Sequence, residues 1–132
     1  LDGVFERFPK LQGASVELGA GWVPSMLQRL DWTVEIWKKM DQSLRRLTRK
    51  PSEQLAQQFG FTPYVYEDVG ELIDRSQPEL YLFSSDYPHT EGGRDPIGRF
   101  RRALEGYDEY VQERFYAGNF KRIFTELNQS FA

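Results

Sequence analysis

An apolar run of four, Leu80-Tyr81-Leu82-Phe83, breaks off at Ser84-Ser85-Asp86, and this stretch constrains the chain more than any other. Four consecutive apolar residues suit a short strand buried on both faces. Tyr87-Pro88-His89 and a polar loop, Thr90-Glu91-Gly92-Gly93-Arg94-Asp95-Pro96, lead from it into a helical pattern. α/β folds place their chemistry on ionisable groups at the C-terminal lip of a buried strand. On local pattern alone Asp86 is more often a turn or helix cap, the usual work of an Asp after a strand.

The rest of the chain alternates in the same sense. Val4, Phe5 and Phe8 share a face and Pro9 stops the pattern, so residues 1–10 read as a helix end. Ala14-Ser15-Val16-Glu17-Leu18 reads as a short strand, with Gly19 and Gly21 marking a tight turn. Glu17 thereby occupies the same kind of place as Asp86. Apolar residues at spacings of three and four from Val23 to Leu47 predict one long helix, with Pro24 tolerable in its first turn. Its other face carries Arg29, Lys38, Lys39, Arg45 and Arg46, the pattern of a solvated surface. Ser52 is placed to cap a short helix through Gln58. Phe59–Val65 alternates as a strand would, although Pro63 weakens that reading because it donates no ladder hydrogen bond. Glu67-Asp68 opens a helix to about Ser76, and Asp95-Pro96 opens another. Asp108 starts the next, and Asn119 caps a final helix with Phe120, Ile123, Phe124 and Leu127 on one face. A β-then-α alternation predicts parallel strands joined by right-handed helical crossovers.

Composition narrows the function. Lys plus Arg number 17 against 20 Asp plus Glu, for a net charge of −3, and no basic block stands out, which argues against nucleic acid as a partner. The absence of cysteine removes disulfides, thiolate chemistry and Cys-based metal sites. No run approaches a membrane span and no signal-peptide pattern opens the chain, so a soluble, cytoplasmic protein is expected. The 10 Phe, 7 Tyr and 3 Trp fit core and interface packing before any ligand cage.

The string Ser85-Asp86-Tyr87-Pro88-His89 resembles the last barrel strand of the amidohydrolase-related family of metal-dependent hydrolases and decarboxylases, which includes aminocarboxymuconate semialdehyde decarboxylase. Gly3–Leu11, Glu17-Leu18-Gly19-Ala20-Gly21-Trp22 and Arg29-Leu30-Asp31 look like the surroundings of an earlier strand of that barrel. Gly118–Phe124 is similar to its closing helix, so the resemblance covers nearly the whole chain. A (β/α)₈ barrel needs about 250 residues. The resemblance therefore implies that residues 1–132 are one domain, the C-terminal part of a barrel with about three parallel strands and mostly helical content. It implies that Asp86 binds the metal and handles a proton. It implies a divalent ion, Zn²⁺ or Mn²⁺, and a small organic substrate in the full-length parent.

The sequence departs from the family at the ligands. The family uses an H-x-H pair and further histidines, whereas the only histidine here is His89. Glu17 stands where decarboxylase-like relatives carry a catalytic His, and a carboxylate cannot donate as an imidazolium does. Strands about 4.8 Å apart would set Glu17 and Asp86 roughly 10 Å apart at Cα, close enough for both side chains to share a small pocket. Asp86 and Glu17 are the expected catalytic residues and Asp86 the expected metal ligand. His89 is expected to orient Asp86 or its loop rather than to ligate. Lacking the histidine set, the chain alone is expected to hold no ion tightly, to be inactive, and to pair with itself or with the missing N-terminal half. The alternative is a non-enzymatic helical interaction module, with Asp86 a cap and the Val23–Leu47 helix its working surface.

Overall fold

The computed structural model describes residues 3–128, with side chains of the last helix described as far as Phe124. In chain order the elements are α1 Val4–Arg7, β1 Gly13–Ser15, α2 Val23–Trp37, α3 Gln42–Arg45, α4 Pro51–Gln58, β2 Phe59–Phe61, α5 Val69–Asp74, α6 Pro96–Ala103, α7 Glu109–Glu113 and α8 Asn119–Asn128. Short 3-10 turns at Pro78–Leu80 and Thr90–Gly92 and a π turn at Arg114–Gly118 join them.

β1 and β2 pair in parallel, with Gly13 opposite Phe59, Ala14 opposite Gly60 and Ser15 opposite Phe61. That bears out parallel pairing but corrects the strand count among the described residues from about three to two. The Leu80–Phe83 run is buried as its apolar residues require, yet it is not a full strand. Leu80 belongs to a 3-10 turn, and Tyr81 makes a single parallel bridge to Phe61. The Leu82 N–H still reaches the Phe61 carbonyl at 2.9 Å, but the Phe83 N–H turns to the Phe115 carbonyl of the π turn at 3.0 Å. The Phe83 N–H points away from β2, so the run adds a single bridge to the sheet and its far edge is met by the helical layer. β1 is shorter than predicted too: after Ser15 the backbone leaves the strand, and Val16 and Leu18 are exposed.

The predicted helix from Val23 to Leu47 is two helices. Asp41 takes an extended backbone and its Oδ1 accepts the Ser43 N–H at 2.8 Å, capping a new helix, α3. Such local bonding competes with helix continuation. Ser52 does not cap α4: Lys50 precedes it, Pro51 takes the first position, and the Ser52 hydroxyl donates to Asp31 at 2.6 Å. Asp68, Asp95 and Asp108 cap α5, α6 and α7. Asn119 is no cap either, since the π turn runs straight into α8. The inward placement expected for Leu127 lies outside the described side chains.

The core gathers Val23 and Leu27 of α2, Val69, Leu72 and Ile73 of α5, Leu80 and Tyr81, Phe100 and Leu104 around α6, and Phe115. Each such side chain removed from water is worth about 1.5–3 kcal/mol. Phe83 meets Phe100 and Phe115 edge to face at 5.8 and 6.1 Å between ring centroids. The Tyr81 hydroxyl, held by Ser76 Oγ at 2.7 Å and the Leu72 carbonyl at 3.2 Å, is pushed up to about 12 by burial. All three tryptophans lie toward solvent, Trp22 at 43%, Trp32 at 67% and Trp37 at 49% exposure. No described helix is long and apolar enough to cross a membrane.

At the N-terminal ends of the strands, side-chain donors hold loop carbonyls. Gln58 Nε2 donates to Phe8 and Leu11, and Asn119 Nδ2 to Pro78 and Tyr81 at 2.7 and 2.9 Å. Arg122 donates to the carbonyls of Gln57, Phe59 and Glu79.

Candidate active site

The opposite ends of the strands are built from acceptors. Beyond β1 the chain turns sharply at Glu17, whose φ is 60°. For a residue other than glycine this left-handed backbone costs about 1–2 kcal/mol. It is held from β2's side: the Glu17 N–H donates to Thr62 Oγ1 at 3.3 Å, and the Tyr64 hydroxyl donates to the Glu17 carbonyl at 2.8 Å.

Asp86 is also left-handed, with φ 56°. Asp tolerates that conformation better than Glu because its short polar side chain bonds locally. The Asp86 N–H donates to Ser84 Oγ at 3.3 Å, and its carbonyl accepts the His89 N–H at 2.8 Å, closing a turn that brings His89 back over it. Gly92 lets the loop close, since a Cβ there would lie 2.4 Å from the Ser85 carbonyl oxygen. Non-glycine residues kept in this region of backbone space cluster at functional sites, where the surrounding structure imposes them.

These turns bring together the residues singled out in the sequence. Glu17, Asp86 and His89 each place a ligand-type atom within 4.8 Å of the other two. His89 Nδ1 lies 3.2 Å from Asp86 Oδ1 and 3.8 Å from Glu17 Oε1. The Asp86 side chain is the sheltered member at 15% exposure, against 54% for His89 and 69% for Glu17. A cleft of about 20 Å³, lined by Glu17, Thr62, Pro63, Tyr64, Val65, Ser84 and Asp86, opens beside them. It has room for a single water-sized body. Asp86 Oδ1 takes the His89 contact, and among the described residues no hydrogen bond claims Oδ2.

The donor set fits a divalent ion. His89 Nδ1 is engaged by Asp86 Oδ1 at 3.2 Å, which leaves the two carboxylates as the groups to hold an ion, and carboxylate oxygen suits Zn²⁺ or Mn²⁺. Asp86 is not a helix cap, as the interaction-module reading required; it sits in a loop and caps nothing.

Sequence reading missed Thr62 and Tyr64 as the residues that hold the Glu17 backbone. Only the glycines after Glu17 signalled a crowded turn there.

A sequence profile of the family described as Amidohydrolase matches residues 1–125. The chain belongs to the amidohydrolase family. A solved amidohydrolase from Mycobacterium avium subsp. paratuberculosis K-10 is 30% identical with a TM-score of 0.74; the likeness covers 92% of this chain and 30% of that one. The 5-carboxyvanillate decarboxylase LigW from Sphingomonas paucimobilis is 26% identical with a TM-score of 0.62, covering 95% of this chain and 37% of that one. This amidohydrolase chain thus spans about a third of the length of those structures. No curated protein sequence matches it.

Proposed function

We propose that residues 1–132 are the C-terminal portion of a (β/α)₈ metal-dependent hydrolase or decarboxylase acting on a small organic substrate. The convergence of Glu17, from the turn after β1, with Asp86 and His89, from the loop after the buried Leu80–Phe83 run, carries this reading. In it, Asp86 and Glu17, which both line the cleft, would hold a divalent ion, and such an ion would supply Lewis acidity and a more acidic water. Asp86 Oδ2 and Glu17 are the proton acceptors within reach. His89 donates its Nδ1–H to Asp86 Oδ1 and so fixes which oxygen faces the cleft.

Two carboxylates and one imidazole form an incomplete set for this chemistry, and the chain by itself is inactive in this reading. Titration calorimetry with Zn²⁺ and Mn²⁺ tests it. Binding weaker than micromolar, abolished by Asp86→Asn, is expected. Tight stoichiometric binding would show the site to be complete as it stands, and binding indifferent to Asp86→Asn would remove the site. In the full-length parent, Asp86→Asn abolishes turnover while leaving the fold intact. The exposed Val16 and Leu18 beside β1, with Met40 and Phe120 elsewhere, support association with a second copy or with the rest of the barrel. Light scattering that shows a clean monomer at high concentration excludes the self-pairing.

A further inference from the structure

One carboxylate outside the cleft ties together the turns on either side of Glu17. Glu67 lies in the loop between β2 and α5, where its sequence position suggested a helix-opening acid. Asp68, its neighbour, does that work by accepting the Glu71 N–H at 3.1 Å. Glu67 faces the other way. Its Oε2 accepts the Ala20 N–H at 2.9 Å and the Tyr64 N–H at 2.7 Å, and its Oε1 accepts the Gly21 N–H at 2.8 Å. One carboxylate therefore joins the turn after β1 to the turn after β2.

Ala20 and Gly21 lie just ahead of α2, so the carboxylate also sits near the positive end of that helix's dipole without capping it. The glycines are shaped to it. A Cβ on Gly21 would lie 2.9 Å from Glu67 Oε1, and one on Gly19, at φ 64°, would lie 2.6 Å from the Tyr64 ring. Tyr64, whose N–H Glu67 fixes, is the residue whose hydroxyl holds the Glu17 carbonyl. Both ends of the turn that forces Glu17 into its left-handed backbone thus lead back to Glu67.

We infer that Glu67 is a positioning residue: by clamping Ala20, Gly21 and Tyr64 it holds Glu17 within reach of Asp86 and His89. The inference rests on the ion-site reading above for its consequence, although the clamp itself can be read without any ion. Glutamine cannot replace it, because an amide turned to accept from Ala20 and Tyr64 presents its own N–H₂ to the Gly21 donor.

The test combines amide hydrogen exchange on the metal-free chain with Mn²⁺ titration of the whole chain. In Glu67→Gln, exchange at Glu17, Ala20 and Gly21 quickens while that at Leu82 is unchanged, and Mn²⁺ affinity falls about tenfold, as for outer residues that orient ligands. A double-mutant cycle separates positioning from general support. On a Glu17→Gln background, Glu67→Gln weakens Mn²⁺ binding no further. An equal loss on both backgrounds, or unchanged exchange at Glu17, overturns the inference. Should Glu67→Gln fail to fold, Tyr64→Phe, which removes only the hydroxyl on the Glu17 carbonyl, carries the same cycle with a smaller expected effect. If Mn²⁺ binding ignores Asp86→Asn, the ion-site reading falls alone; exchange at Glu17 then decides the role of Glu67 by itself.

Discussion

The two ends of the short parallel sheet are built in opposite ways. At the N-terminal ends, amide and guanidinium donors from Gln58, Asn119 and Arg122 reach inward to carbonyls. At the C-terminal ends, acceptors from Thr62 and Glu67 reach toward backbone N–H groups, and Glu17 and Asp86 are forced into left-handed backbone. One end holds carbonyls with side-chain donors, and the other keeps two residues in left-handed backbone. In barrel enzymes the C-terminal end holds the chemistry and the other the stability.

If the division is real, substitutions at the two ends must have effects of opposite sign. The largest loss belongs to the base. Asn119→Ala strips a fully buried donor from the carbonyls of Pro78 and Tyr81, and should cost about 2–3 kcal/mol in urea unfolding. Arg122→Met keeps the apolar stem but abandons the carbonyls of Gln57, Phe59 and Glu79; about 2 kcal/mol is expected by the same measurement. At the other end, Glu17→Gly removes the left-handed cost while adding chain entropy to the unfolded state. Its stability should stay level or rise by up to about 1 kcal/mol while ion affinity drops. A loss as large as that of Asn119→Ala would erase the contrast.

The smallest effects are in pH. Burial raises the Tyr81 phenol to about 12, so the stability of its neutral form is whole below its unfolded value near 10 and is lost as pH rises through 12. Tyr81→Phe should flatten that alkaline limb. The Glu6 carboxyl is lowered, chiefly by the Arg49 N–H it accepts, so its contribution is present above the unfolded value and lost as pH falls through the folded one. Glu6→Gln should make the acid limb of a stability profile shallower.

Residues whose role is local were legible in the sequence. The Asp95-Pro96 and Asp108 caps, the apolar run before Asp86 and the turn after Glu17 all follow from their immediate neighbours. Residues working across the fold were not. Asn119 looks like a cap but bonds a chain segment 38 residues away, and Glu67 looks like a helix start but clamps a loop 46 and 47 away. Nothing in a three- or four-residue spacing distinguishes the two uses of one side chain. The third strand failed for a related reason: burial was read correctly from Leu80–Phe83, but pairing depends on distant partners, and only Tyr81 bridges Phe61 while the Phe83 N–H goes to Phe115. For the candidate site, the sequence singled out Glu17, Asp86 and His89, and the left-handed turns are what bring them near one another.

The placement of the tryptophans has a practical consequence. With every indole already in partial contact with water, emission should barely redden when the chain unfolds. A shift toward the blue at rising concentration would mark those rings being covered by another molecule, so their fluorescence is a gauge of assembly rather than of folding.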